Sequence, residues 1–202
     1  MKHPERLILI LGDQLDLQSS ALRDIDPKAD QIIMIESANE AQYVWTHKAK
    51  IALFLSAMRH FAVELEKQGY PLTYIKSSPL SIVEVLREQI QKNKVKRLVC
   101  IEPGEWRLKQ ALEALAKDLG IELEMREDEH FYCSRQEFVE WAANKKEFRL
   151  EYFYRLMRKR HNILVDREGN PEGGQWNFDQ DNRKPYPKKG PGIIDAPASF
   201  EV

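Results

Sequence analysis

The sequence predicts an α/β fold: a five-stranded, parallel, doubly wound (Rossmann-like) sheet in the order 3-2-1-4-5, with extra C-terminal helices and an extended arm. Three observations carry this. Leu7 to Leu11 are five consecutive aliphatics that break at Gly12-Asp13, the pattern of a strand buried on both faces. Such runs alternate with amphipathic helical patterns over residues 7–126, and parallel neighbours need a crossover helix between them. From Gly169 to Gly192 all periodicity stops and Gly, Pro, Asn, Asp and Lys dominate.

Taken in order, the second strand is Gln31 to Glu36, apolar at Ile32, Ile33, Met34 and Ile35. A helix follows with Thr46 as its expected N-cap. Its apolar face reads Ile51, Phe54, Leu55, Met58, Phe61, Ala62 and Leu65, and Gly69 ends it. Leu72 to Ile75 is the third strand, Ser81 to Asn93 a helix, and Arg97 to Ile101 the fourth strand. The next helix repeats Leu108, Leu112, Leu115 and Leu119 and stops at Gly120, and Ile121 to Met125 is the fifth strand. Ser134 with Glu137 is a capping-box pattern for a short helix carrying Phe138, Val139 and Trp141, and a further helix runs from Leu150 to His161. The expected organisation is an α/β domain over 1–168 and an irregular arm over 169–202, whose Trp176 and Phe178 should dock near Phe153 and Met157.

Length and charge narrow the classes. At 202 residues there is room for one substantial core, and no apolar run approaches a membrane span, so a cytoplasmic protein is expected. The net charge of -1 hides an asymmetry, because residues 145–202 hold 12 Lys+Arg against 9 Asp+Glu. Arg155, Arg158 and Lys159 share one helical face, which would either track phosphates or be a solvated basic stripe. Cys100 and Cys133 are too few for a four-cysteine zinc or iron–sulfur site, and the five histidines show no ligand spacing, so no metal is expected in this chain.

Three strand ends carry polar groups: Gly12-Asp13-Gln14, Glu36, and Glu102-Pro103-Gly104-Glu105. Strands 1 and 4 flank the switch point of the predicted order, where ligands collect beyond the carboxyl ends. Glu40, Ala41, Gln42 and Tyr43, with Lys48, Ile51, Phe54 and Leu55, should form the adjoining wall. The first loop has one glycine where a dinucleotide fingerprint needs three, and there is neither a P-loop nor a G-x-S-x-G elbow. Ionised carboxylates only accept hydrogen bonds, so the cleft suits a heterocycle bearing hydroxyls. The alternative is that Glu36 and Glu102 cap loops or pair with Lys48 or Arg107.

Six motifs together carry a resemblance. They are Leu11-Gly12-Asp13-Gln14-Leu15, His47-Lys48, Ser56-Ala57-Met58-Arg59-His60-Phe61, Glu102-Pro103-Gly104-Glu105-Trp106-Arg107, Glu151-Tyr152-Phe153-Tyr154-Arg155 with Met157-Arg158, and Gly173-Gly174-Gln175-Trp176-Asn177-Phe178-Asp179 with Asn182-Arg183. In this order they resemble the N-terminal half of the prokaryotic photolyase-related proteins, the iron–sulfur branch that includes bacterial (6-4) photolyases. The resemblance implies an α/β antenna domain joined to a helical domain that holds FAD, a 4Fe-4S cluster and damaged duplex DNA. It further implies an antenna pigment, typically 6,7-dimethyl-8-ribityllumazine, which passes light energy to the flavin. By position, the residues most like the family's pigment contacts are Gly12, Asp13, Gln14, Leu15, Glu36, Glu40, Tyr43, Lys48, Ile51, Phe54 and Glu102. The helical domain does not lie within these residues, so no catalytic residue is carried over, and a truncated form of a longer protein is expected. The rival readings are a nucleotide-binding or signalling α/β domain without photochemistry, and a nucleic-acid-binding module acting through the basic helix.

Overall fold

The computed structural model describes residues 3–183 and 185–197; of the arm anticipated from sequence, Lys184 and residues 198–202 lie outside the described residues. The chain forms two compact units, Met1–Gln136 and Glu137–Val202.

In the first unit, β1 (Arg6–Leu9), β2 (Asp30–Ser37), β3 (Leu72–Ser78), β4 (Arg97–Ile101) and β5 (Glu122–Arg126) form one sheet in the order β3-β2-β1-β4-β5, with every pairing parallel. Ile8 stands opposite both Ile32 and Val99, so the aliphatic runs meet at the centre of the sheet. Side chains alternate across the pleat and supply two cores. On one face Leu7, Leu9, Ile33 and Leu98 pack with α3 (Ile82–Asn93) and α4 (Trp106–Leu119) through Val85, Leu86, Leu112 and Leu115. On the other, Ile8, Ile32, Met34 and Val99 pack with α2 (Lys48–Lys67) through Met58, Ala62 and Leu65. Each fully buried aliphatic contributes about 1.5–3 kcal/mol, which fixes the sheet and holds its carboxyl ends in register.

The helix ends follow local chemistry. Ser81 and Glu84 form a reciprocal capping box at the start of α3, and Gly120 closes α4 in the left-handed region. The α2 cap differs from expectation. His47, not Thr46, occupies it, its Nδ1 accepting from the Ala49 N–H at 3.1 Å, while the Thr46 hydroxyl donates to the Val44 carbonyl.

One irregularity matters for the site. Between Ile35 and Ser37 the β2–β3 register slips, so that one more residue of β3 is accommodated there than of β2. Ser77, within this bulge, has a φ of 52°, and its N–H points at the Glu36 carboxylate.

The second unit holds most of α5 (Arg135–Ala142) and all of α6 (Leu150–His161). Phe138, Trp141, Phe148 and Phe153 form an aromatic cluster, with ring centroids of Trp141 and Phe153 at 4.9 Å. Trp176 docks, but not beside Phe153 and Met157. It lies under the cations of Arg155, Arg158 and Lys159, at 5.6, 5.1 and 5.3 Å from their charged groups. Positions 155, 158 and 159 lie on the far side of the helix from 153 and 157, and cation–π attraction fills that side. Phe178 is half-exposed, its ring against Gly173. The segment also has more order than its sequence suggests: Val165 bridges Pro171, Glu172–Gly174 is a 3-10 turn, and α7 spans Asp179–Asn182. Trp176→Ala is expected to destabilise this unit by about 2 kcal/mol. Hydrogen exchange would read the loss as faster amides around residues 174–178, and unchanged exchange would refute it.

Candidate functional site

The carboxyl ends of β1, β2 and β4 open into a cavity of about 320 Å³ lying wholly in the first unit. That is the lower end of the range for small-molecule pockets, about 300–1,000 Å³. Its floor is Leu11, Ile35, Ile82 and Leu108, and one wall is the first half of α2, with Lys50, Ile51, Phe54, Leu55 and Met58. The other walls come from Glu40 and Ala41 of α1 (Ala38–Tyr43) and from Pro103, Gly104 and Glu105. The amphipathic face of α2 explains the cavity. Met58, Ala62 and Leu65 are buried on the sheet, whereas Ile51 and Leu55 are only partly covered and Phe54 is 43% exposed. The apolar stripe overruns the sheet and lines open space.

Six of the residues expected from sequence line this cavity: Gly12, Asp13, Glu36, Glu40, Ile51 and Phe54. Gly12 is there for close approach. A Cβ at that position would lie 2.5 Å from Phe54 Cε1 and 2.7 Å from Met58 Sδ, so the aromatic ring rests on the bare backbone of the first loop. Among the described residues the Asp13 carboxylate has no hydrogen-bond or ion-pair partner, which leaves it an open acceptor at the exposed rim.

Glu36 lines the cavity with its oxygens already engaged. Its side chain is 2% exposed and takes Arg59 in a two-point pair, Nε to Oε1 at 2.7 Å and an NH2 nitrogen to Oε2 at 3.0 Å. The Tyr74 hydroxyl donates to Oε1 at 2.6 Å and the Ser77 N–H to Oε2 at 3.1 Å. The Arg59 hydrogen bonds, reinforced by Tyr74 and Ser77, outweigh the effect of burial and hold the carboxyl down at about 2. Burial first, then the hydrogen bond to Glu36 and its charge, push the Tyr74 phenol up against the opposing effect of Arg59. Glu36 thus ties β2 to α2 and β3, bracing the cavity wall.

Five expected residues lie outside the lining: Gln14, Leu15, Tyr43, Lys48 and Glu102. Glu102 turns away, paired with Lys109 at 2.5 Å and with Arg135; the Lys109 hydrogen bond leads in holding its carboxyl below the usual range. Neither of the partners weighed from sequence takes Glu36 or Glu102. Arg107 binds Glu40 and Glu105 instead. Gln14 donates from Nε2 to the Glu102 carbonyl at 3.1 Å, and among the described residues its Oε1 is buried without a partner. Gln14 and Leu15 border a second hollow of about 380 Å³ beside Asp128 to Phe131. Tyr43 lies with its ring under the Arg107 guanidinium.

Sequence reasoning missed Lys50 and Thr46, which do line the cavity. The signal was available, because 50, 54 and 58 step by four along one row of α2 and Thr46 continues that spacing just before the His47 cap. Lys48 falls off that row. The basic stripe of α6 is also spent within its unit. Arg155 pairs with Glu151, Arg160 with Glu137, and Arg158 is buried against the Ile163 and Leu164 carbonyls. Cys100 is inert in the β4 core, where burial first and the nearby Glu102 charge second push its thiol up to about 12. Among the described residues no group of three or more His, Cys, Asp and Glu is placed to hold a metal, and no helix is long and apolar enough to cross a membrane.

A family model described as deoxyribodipyrimidine photo-lyase-related protein matches residues 8–202. A protein named (6-4) photolyase from Agrobacterium fabrum (strain C58 / ATCC 33970) is 42% identical over 184 residues, which are 89% of this chain and 36% of that protein. The chain therefore spans about a third of the length of that relative. The match runs through the first loop, the α2 wall, the Glu102 to Arg107 segment and the Trp176 segment alike, and on it the chain belongs to the deoxyribodipyrimidine photo-lyase-related protein family.

Proposed function

We propose that this chain is the light-harvesting domain of a photolyase-like protein and that its cavity takes a ribityllumazine-type pigment. The observation that carries the reading is the cavity at the ends of β1, β2 and β4: apolar walls, few polar groups, and a size suited to one small heterocycle. Ile51, Phe54, Leu55 and Leu11 would hold a planar ring, while Asp13, Lys50 and Thr46 offer an acceptor and donors for hydroxyls. When bound, the pigment supplies absorption of near-ultraviolet or blue light. The protein's part is to hold it still and away from water. FAD, a 4Fe-4S cluster and damaged duplex DNA belong in this proposal to a helical domain outside these residues, and two cysteines cannot supply such a cluster here. A cytoplasmic setting belongs to the same proposal.

Titration of the purified chain with 6,7-dimethyl-8-ribityllumazine and, separately, with adenine nucleotides is the test. Saturable lumazine binding with a shifted absorption band supports the antenna reading. Nucleotide binding with no lumazine uptake would put the rival α/β module in its place. Residues 1–202 alone, illuminated with lesion-containing duplex and reduced flavin, are expected to restore no bases; light-dependent restoration would overturn the division of labour.

A further inference from the structure

Two segments face each other across the cavity. One is a strap, α1 with residues 44–47, which gives Glu40, Ala41 and Thr46 to the lining; the other is the approach to α4, which gives Pro103, Gly104 and Glu105. The strap is loosely seated. No residue of α1 is buried, and Trp45 is 98% exposed. Apart from Arg107, the side-chain contacts of this strap are short-range, the Glu40 N–H donating to Ser37 Oγ and the Thr46 hydroxyl to the Val44 carbonyl. Among the described residues, the ion pair that carries α1 across to α4 belongs to Arg107. The guanidinium reaches Glu40 Oε2 at 2.5 Å and Oε1 at 3.3 Å, lies 4.2 Å from the centre of the Tyr43 ring, and holds Glu105 at 2.8 and 3.0 Å.

We infer that Arg107 is a clasp: it pins the strap to the approach to α4, and a ligand enters or leaves the cavity when that clasp opens. Arg107 does not line the cavity, so it acts on access through Glu40 and Tyr43 and is a positioning residue. Its pairs are partly exposed, 36% for Arg107 and 23% for Glu40, and ion pairs near the surface are weak and screened by salt. Opening is therefore cheap and salt-dependent. A lysine would not serve, because the two-point pair and the stacked ring both need a planar guanidinium.

The ligand readout rests on the antenna reading; a first readout does not. In the unliganded chain, hydrogen exchange at residues 40–47 should quicken about tenfold in R107A, the size expected of one half-exposed pair with a stacked ring, with the sheet amides unchanged. R107K should behave as R107A. In stopped-flow binding of 6,7-dimethyl-8-ribityllumazine, R107A should speed association and dissociation together by about tenfold and shift the equilibrium affinity much less. Added salt should speed wild-type dissociation and leave R107A insensitive. Unchanged exchange over 40–47 in R107A overturns the clasp whatever the ligand does, as does an affinity loss without faster association. If the wild-type chain takes up no lumazine, the antenna reading falls and the exchange result alone decides the clasp.

Discussion

Ile51→Trp is expected to abolish lumazine uptake, lowering affinity at least about a hundredfold, while leaving the fold intact. Ile51 is in the first turns of α2, lines the cavity, and belongs to neither buried core cluster. An indole there projects into a space of about 320 Å³ that suits one small heterocycle and has no room for a second ring system. Overfilling a close-packed site costs about 1–3 kcal/mol, and steric exclusion of the ligand adds to it. Because the helix is anchored further along by Met58, Ala62 and Leu65, the melting temperature should move by only a degree or two, on the order of a surface substitution. Titration calorimetry beside thermal melting separates the two effects. Retained affinity would move the ligand elsewhere, and a collapsed fold would show Ile51 to be part of the core.

Glu36→Gln should have the largest effect on stability, about 2–4 kcal/mol, or roughly 4–16 °C in melting temperature for a chain of this size. The amide keeps the shape but not the charge, leaving Arg59 without its counter-ion and placing an amide NH2 against the Ser77 N–H or the Arg59 guanidinium. Arg59 is half-exposed and regains water, which keeps the cost below that of a fully buried pair. The same pair sets a pH dependence. Glu36 is held at about 2 in the folded chain against about 4.3 when unfolded. Its contribution is therefore complete above about pH 4.3 and is lost as pH falls towards 2. Denaturant midpoints measured across that window should fall for the wild type and lose this component in the Gln variant. Parallel pH profiles for the two would show that the pair is not formed.

The central strands were legible in the sequence because β1, β2 and β4 are short aliphatic runs, and the mixed edge strands β3 and β5 followed from their alternation with α2, α3 and α4, each of which carries one apolar stripe. The cavity's place was legible for the same reason, since the order of a doubly wound sheet sets its switch point. The use of its carboxylates was not. Sequence puts Glu36 and Glu102 at strand ends, but what saturates Glu36 arrives from positions 23, 38 and 41 residues away, the last through a bulge in β3. Burying a carboxylate selects whatever donors the tertiary fold brings near, and no local pattern records which those are. Trp176 shows the same limit. Its docking was foreseeable from its size, but the choice of the cationic side of α6 depended on the aromatic cluster already occupying the other.

The most direct test of the account is amide chemical-shift mapping of the isotope-labelled chain during titration with 6,7-dimethyl-8-ribityllumazine. The account predicts saturable shifts concentrated at Gly12, Asp13, Ser37, Glu40, Ala41, Ile51 and Gly104, around one cavity. Shifts gathered instead around Gln18, Asp128 and His130 at the second hollow, or none at saturating pigment, would contradict it.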